Sequence, residues 1–176
     1  LPYFYVPEQN MYDRQRNDHV PYMDWKESGD LFATPGDVVD YTYIRKHLHE
    51  LSQRYDIREV ALDRWNATQV AVWLQQDGLD VAYFGQGYRS MSAPSKELEA
   101  SIMGKRFRHG NHPVLRWNAS VCSHETDAAG NIKPSKKRSG ERIDGIVACV
   151  MAIGRATSAD ESTQDSVYEG RGLETL

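Results

Sequence analysis

The most restrictive feature of this sequence is an apolar run, residues 145–154, that begins immediately after one carboxylate, Asp144. Over 139–156 the large apolar side chains recur at helical intervals, which predicts a helix with Ser139 as its N-cap. Apolar residues also occupy the opposite face, so we expect the whole helix to be buried. It is too short to cross a bilayer, which requires about 20 apolar residues. Any fold of this chain must therefore enclose this helix.

Asp144 is an unusual residue for the start of a buried helix, because a carboxylate removed from water must be compensated. One interpretation is a helix-start aspartate stabilised by the helix dipole, and the helix taken alone favours it. The other is a metal ligand held rigidly by a packed helix, which needs a second acid elsewhere in the chain. Asp63 is the candidate for that second acid.

Asp63 ends an expected strand over 57–63, whose last residues form a continuous apolar run. An amphipathic helix follows, and a second expected strand over 79–84 then leads to Gln86. A strand–helix–strand unit of this kind implies two parallel neighbours joined by a right-handed crossover. Ligands of open α/β sheets bind beyond the carboxyl ends of the strands, so we expect Asp63 and Gln86 at one functional edge.

The rest of the chain is assigned by the same patterns. Asp37 is expected to cap a helix, and a further helix is expected over 94–107. Residues 112–122 fit either a helix or a strand, and 127–140 are turn-rich. From the helix over 94–107 we assign three side chains to the core: Leu98, Ile102 and Met103.

Charge and cysteine content limit the classes of function. The 176 residues carry a net charge of −4 with a pI of about 5.9, so any nucleic-acid site must be a local basic patch. Such a patch occurs over 133–142, although a merely solvated loop explains it equally well. The two cysteines exclude a disulfide framework and suit a reducing cytosol, and no signal peptide or membrane span is expected. We expect one folded domain over 1–156 and a flexible polar tail over 157–176.

Asp63 and Asp144, 81 residues apart, suggest a specific chemistry. Carboxylates on rigid elements can hold divalent ions that activate water and stabilise the leaving oxygen of a phosphodiester. Ligands that are all oxygen suit Mg²⁺ or Mn²⁺, so the predicted cofactor is one or two such ions. Spacing alone does not decide this, because two acids near strand ends occur in many α/β proteins.

Several stretches resemble a known family, the C-terminal nuclease domain of the large terminase subunit of tailed double-stranded DNA phages. The most specific are ALDRWNA, which contains Asp63, and SGERIDGIVA, which contains Asp144; further matches run over nearly the whole chain. The resemblance implies an RNase H-like fold, with a mixed sheet flanked by helices, and a two-metal endonuclease that cuts concatemeric phage DNA. It also implies double-stranded DNA, the portal and prohead, and the small terminase subunit as partners, in the host cytoplasm during phage assembly.

Carried over residue by residue, the resemblance makes Asp63 the second catalytic aspartate and Asp144 the third, both of them metal ligands. The first is expected on an opening strand of the type Gly-x-Asp-x-Ser, and neither this strand nor the Walker A sequence of an ATPase motor has a match here. We therefore expect the first strands of the sheet and the motor to lie before Leu1. The candidate DNA-contacting residues are Arg64, Gln86, Lys133, Lys136, Lys137, Arg138 and Arg142.

Other functions stay open on the sequence alone. The chain could be a non-catalytic module that docks on DNA or on the portal, or another RNase H-like nuclease, such as a resolvase that prefers one DNA structure. Trp65 and Trp117 could stack on bases, although core packing is the more usual role of a tryptophan.

Overall fold

The computed structural model of the chain describes residues 1–64 and 68–163. Helices dominate these residues, and the strands are short. The strands are β1 (Tyr5–Pro7), β2 (Phe32–Thr34), β3 (Val60–Asp63), β4 (Val81–Phe84), β5 (His124–Thr126) and β6 (Ile132–Pro134). The helices are α1 (Met11–Asp18), α2 (Tyr22–Glu27), α3 (Tyr41–Ser52), α4 (Thr68–Gln76), α5 (Tyr88–Met103), α6 (Pro113–Val121) and α7 (Asp144–Thr163).

The described strands form three pairs. β1 pairs with β2 in parallel, and β5 pairs with β6 in an antiparallel hairpin. β3 and β4 also pair in parallel, with α4 between them in sequence and Asp63 opposite Phe84. This pairing confirms the predicted strand–helix–strand unit, although its strands are shorter at their starts than the predicted ranges.

α7 is the centre of the larger of two hydrophobic clusters. It packs against α5 and α6, and Ile143, which directly precedes it, is fully buried at 0% exposure. Ile146 and Val150 continue the same face at helical spacing, as the sequence predicts. The buried members of this cluster are Phe84, Met91, Leu98, Leu115, Ile143, Ile146, Val147, Val150 and Met151. A second cluster around α1 and α2 contains Met11, Val20, Tyr22, Trp25, Leu31 and Val114.

The start of α7 differs from its prediction. The helix begins at Asp144, five residues after Ser139. Ser139 is not the N-cap: its hydroxyl donates to the carbonyl oxygen of Ser135 at 2.7 Å and accepts from the backbone N–H of Ser123 at 3.0 Å. Both bonds reach residues of the β5–β6 region, so they close a loop in front of the helix that a local capping pattern could not reveal.

The outer face and the far end of α7 also differ from expectation. Ala148 and Ala152 are exposed, so the prediction that the helix is buried all round is wrong for this face. The helix continues to Thr163 and thus includes the first seven residues of the expected tail, whose remaining residues, 164–176, lie outside the described residues. Among the helices of the described ranges, none is long and apolar enough to cross a membrane.

α3 and α5 begin at different residues from those predicted. Asp40, and not Asp37, caps α3, and its carboxylate accepts a backbone N–H at 2.9 Å. α5 begins at Tyr88, six residues before Pro94, where the sequence suggested a start because proline favours the first turn. Pro94 instead packs inside the helix against Gly154 of α7, where an added Cβ would lie 3.2 Å from the proline Cγ.

Two of the three α5 side chains that the sequence assigned to the core are exposed. Leu98 is buried as predicted, but Ile102 and Met103 are 48% and 79% exposed. The last turn of α5 borders an open depression instead of the closed core. Of the segments left open, 112–122 is helical through α6, and the turn-rich 127–140 contains β6 of the hairpin.

Candidate functional site

Asp63 is held at the carboxyl end of the parallel β3–β4 pair. The register sets it beside Phe84, and the chain then turns through Gly85 so that Gln86 faces back toward the aspartate. The side-chain amide of Gln86 donates to Asp63 Oδ2 at 2.9 Å, and both residues are half-buried. The structure thus brings together two of the predicted residues.

Asp144 is the first residue of α7, and its carboxylate lies in solvent, with 67% of the side chain exposed. The burial cost expected from its place at the head of an apolar run therefore does not arise, because only the helix face that follows it is buried. Its nearest cation is Lys136 of the loop after β6, whose Nζ lies 2.6 Å from Asp144 Oδ1. A negative charge in the first turn is also favoured by the helix dipole.

Asn118 of α6 is a residue that the sequence analysis missed. It is buried at 3% exposure, and its side-chain oxygen accepts the backbone N–H of Gly145 at 2.7 Å. This bond satisfies a backbone donor in the first turn of α7. Gly145 leaves no room for a side chain, since an added Cβ would lie 2.7 Å from Asn118 Oδ1 and 2.7 Å from the ring of Phe4. The backbone that carries Asp144 is therefore fixed by α6, a helix that is distant in the sequence, and no short motif could have revealed this.

A second contact fixes α7 in its second half. Arg155 donates to both carboxylate oxygens of Glu59, at 2.5 and 2.9 Å, and Glu59 directly precedes β3. The hydrogen bonds from Arg155 lower the pKa of the Glu59 carboxyl. Eleven residues separate Asp144 from Arg155, about 16 Å along the helix axis. The same helix thus joins the start of the Asp63 strand to the exposed Asp144.

The predicted DNA-contacting residues lie in different environments. Lys133 is largely engaged, with its Nζ 2.8 Å from Glu125 and 5.1 Å from the ring centre of Tyr88. The hydrogen bond from this ammonium also lowers the pKa of the Glu125 carboxyl. Arg142 is exposed and lies 3.8 Å from Asp18. Gln86 and Lys136 contact Asp63 and Asp144, as described above. The other three candidates are exposed: Arg64 after β3, and Lys137 and Arg138 after β6.

The structure describes one of the two tryptophans considered for base stacking. Trp117 lies 5.6 Å from Trp25 and 6.3 Å from Tyr22 between ring centres and packs on the second cluster, so core packing accounts for it. Trp65 lies outside the described residues.

The candidate ligand atoms are the carboxylate oxygens of Asp63 and Asp144, which suit a hard divalent ion. Gln86 adds only a side-chain amide beside Asp63. Within residues 1–64 and 68–163, no group of three or more His, Cys, Asp and Glu side chains lies together in a way that could hold a metal ion. Asp63 and Asp144 therefore fit such an ion in chemistry, and they do not belong to a complete cluster among the described residues.

Comparison with known proteins identifies the family. A sequence profile for the "Terminase large subunit, endonuclease domain" matches residues 2–160. The chain belongs to this terminase family. It is 36% identical over 158 residues to "Terminase, large subunit" of Enterobacteria phage HK97, covering 89% of this chain and 31% of that protein. It is 32% identical over 182 residues to "Protein YmfN" of Escherichia coli (strain K12), covering 99% of this chain and 40% of that protein.

The fold agrees with the terminase assignment. The "Crystal structure of the HK97 bacteriophage large terminase" matches with a TM-score of 0.80 and 35% identity, over 86% of this chain and 32% of that chain. This confirms the predicted RNase H-like class, with short sheets flanked by helices. The chain spans less than half the length of these relatives.

Proposed function

We propose that this chain is the metal-dependent DNA endonuclease domain of a phage terminase and that it cuts concatemeric viral DNA during packaging into the prohead. The observation that carries the proposal is the placing of two acids on ordered elements inside the family match. Asp63 lies at the carboxyl end of a paired strand, and Asp144 lies at the start of the central helix. A scaffold that fixes carboxylates in this way is what phosphodiester hydrolysis with divalent ions requires.

In this proposal Asp63 and Asp144 hold Mg²⁺ or Mn²⁺, in a two-ion arrangement. When bound, the ions supply an activated water and stabilise the leaving oxygen of the cut strand. The chain itself contributes orientation: Gln86 holds one oxygen of Asp63, and Asn118 fixes the backbone next to Asp144. Because these supports come from a strand end and a buried helix, the carboxylates are set before metal or DNA arrives.

The basic loop after β6 is proposed to meet the DNA backbone. Lys137 and Arg138 are exposed beside the Asp144 end of α7, and Lys136 contacts Asp144 itself. Cations at such positions attract phosphates without reading sequence, which suits an enzyme that cuts largely regardless of sequence. Arg64 and Arg142 extend the same proposed interface, while Gln86 and Lys133 serve it indirectly through their contacts with Asp63 and Glu125.

The wider role is proposed from the terminase family. Portal, prohead and small terminase subunit are the proposed assembly partners, the host cytoplasm is the proposed location, and an ATPase motor is the proposed neighbour in the full-length protein. Each of these concerns the whole protein, of which this chain corresponds to less than half in its relatives.

The first test is metal binding, because the first catalytic aspartate of the family pattern has no match in this sequence and weak turnover is expected. Titration calorimetry with Mn²⁺ is expected to show binding that the double variant Asp63→Ala/Asp144→Ala abolishes. Binding that persists undiminished in the double variant would contradict the assigned ligands.

The second test is nicking of supercoiled plasmid in Mn²⁺. Cleavage is expected to depend on the metal and to be lost in Asp144→Asn, which keeps the shape of the side chain and removes its charge. Metal-independent DNA binding without any Mn²⁺ site would instead indicate a docking module.

A further inference from the structure

We propose that Lys136 is the resident counter-ion of the metal site: it occupies Asp144 while the site is empty, and an arriving divalent ion displaces it toward the DNA. The inference rests on the proposed function and adds a role that the DNA-contact assignment of Lys136 does not contain. In this role the lysine competes with the metal for one carboxylate and becomes available to phosphate only after the metal has bound.

The base of the Lys136 loop is held firmly while the side chain itself is free to move. Ser135, directly before Lys136, is buried at 4% exposure, and its backbone N–H donates to the carbonyl oxygen of Ser123 at 2.9 Å. The Ser139 hydroxyl closes the same loop through its bond to the Ser135 carbonyl. By contrast, 63% of the Lys136 side chain is exposed, so its ammonium can swing without unfolding the loop.

The contact between Lys136 and Asp144 is close and unprotected. Lys136 Nζ lies 2.6 Å from Asp144 Oδ1, and both side chains are mostly in water. A pair this exposed is weak, because solvent screens the attraction and both side chains lose freedom when they meet. A divalent ion carries twice the charge and binds carboxylate oxygen directly, and it would repel an ammonium at the same oxygen. Displacement of Lys136 is therefore the expected result of metal binding.

Lys133 shows that this behaviour is not general to the basic loop. Its ammonium lies 2.8 Å from Glu125 and over the ring of Tyr88, and only 25% of its side chain is exposed. Glu125 also accepts from the Ser135 hydroxyl at 3.4 Å, so it is tied into the hairpin. Because its partner is not a proposed metal ligand, Lys133 has no reason to move when metal binds.

The first experiment measures Mn²⁺ affinity by calorimetry, in the absence of DNA, for the full 176-residue chain and three variants. Lys136→Met keeps the apolar stem and removes the charge. Lys46→Met is the matched control, since Lys46 on α3 makes another exposed carboxylate pair, with Glu50 at 3.9 Å. Asp144→Asn reports whether the measured ion occupies the proposed site at all.

Lys136→Met is expected to tighten Mn²⁺ binding by about two- to fivefold, the scale of an exposed ion pair. Lys46→Met is expected to leave the affinity unchanged, and Asp144→Asn to weaken it by tenfold or more. If binding depends on Asp144 but Lys136→Met does not tighten it, the counter-ion role is wrong and the proposed nuclease site stands. If binding does not depend on Asp144, both proposals fail.

The second experiment tests the release of Lys136 toward DNA. Affinity for a short duplex is measured against salt concentration, with no metal and with Ca²⁺, which accepts the same oxygen ligands. Lys136→Met is expected to flatten the log–log salt slope by about 0.9 with Ca²⁺ and by less than half of that without metal. Lys137→Met serves as the comparison and is expected to flatten the salt slope equally with and without Ca²⁺. Equal losses for Lys136→Met with and without Ca²⁺ would overturn the release of the lysine.

Discussion

α7 carries one ion pair at its first residue, Asp144, called here the open end, and another at Arg155 in its second half, called here with Gly154 the anchored segment; the two pairs differ in almost every physical respect. In the anchored segment, Arg155 donates two hydrogen bonds to Glu59, and the two side chains are only 37% and 27% exposed. At the open end, Lys136 makes a single close contact with Asp144, and those side chains are 63% and 67% exposed. One pair joins the helix to the strand β3, and the other leaves its carboxylate open to solvent.

The comparison shows how one helix can be anchored and still present an exposed carboxylate. The anchored segment is held by the bidentate pair and by close packing, since an added Cβ on Gly154 would lie 2.7 Å from the Phe84 ring. The open end is held by the bond from Gly145 to Asn118 and by the burial of Ile143 and Ile146. Position is thus determined by the backbone and by apolar packing, while the Asp144 side chain stays exposed.

The largest expected effect comes from breaking the packing of the anchored segment at Gly154. Gly154→Val would force two methyl groups against Phe84 and Pro94, and overpacking of this kind is expected to cost about 2–3 kcal/mol. The melting temperature should fall by roughly 5–10 °C, measured by circular dichroism. Ala152→Val, on the exposed face of the same helix, is the control and should change stability by about 0.5 kcal/mol at most. Similar losses in both variants would mean that the close packing at Gly154 does not anchor the helix.

The buried face of α7 and the strands beside it were more predictable from the sequence than the support of Asp144. The spacing of Ile146 and Val150 and the parallel strands that end at Asp63 and Phe84 follow from local periodicity, and the structure confirms them. The sequence predicted Gln86 at the same edge as Asp63, but it did not show that the amide would donate to the carboxylate.

The open end was less predictable because its supports come from elsewhere in the chain. Asn118 and Lys136 reach α7 from another helix and from a loop, and neither contact follows from the spacing of nearby residues. Ser139 has the right chemistry for an N-cap, yet its hydroxyl is used in the loop before the helix. The metal roles of Asp63 and Asp144 remain predictions that the Mn²⁺ titrations decide.

An intermediate effect is expected from breaking the backbone support of the open end. Asn118→Leu keeps a similar volume and removes the acceptor for the Gly145 N–H, which would then be buried without a partner. This should cost about 1–2 kcal/mol of stability. It should also weaken Mn²⁺ binding about tenfold well below the melting temperature, because the first turn that presents Asp144 loses its fixed position.

Asn118→Asp is the matched variant for that prediction, since it retains an acceptor oxygen for Gly145. It is expected to recover most of the stability that Asn118→Leu loses. An Asn118→Leu protein that is destabilised but binds Mn²⁺ as tightly as the parent would show that Asp144 does not depend on this support.

The smallest expected effect compares the two ion pairs directly. Arg155→Met should lower stability by about 0.5–1 kcal/mol at neutral pH, since the pair is bidentate and only partly screened by solvent. Lys136→Met should lower it by less than the error of a denaturant titration, because both side chains of its pair are mostly exposed to water. The Arg155 effect should also depend on pH. The arginine lowers the folded-state pKa of Glu59 below its ordinary value of 4.5, so this stabilisation is complete above that value and disappears as the pH falls through the lowered pKa. The parent and Arg155→Met should therefore converge in stability in strong acid. A double-mutant cycle that combines Arg155→Met with Glu59→Gln should give a coupling energy of the same size at neutral pH. A difference that is constant from pH 7 to pH 3 would mean that Arg155 contributes through the packing of its stem, and the anchored segment of α7 would then be held by apolar contacts alone.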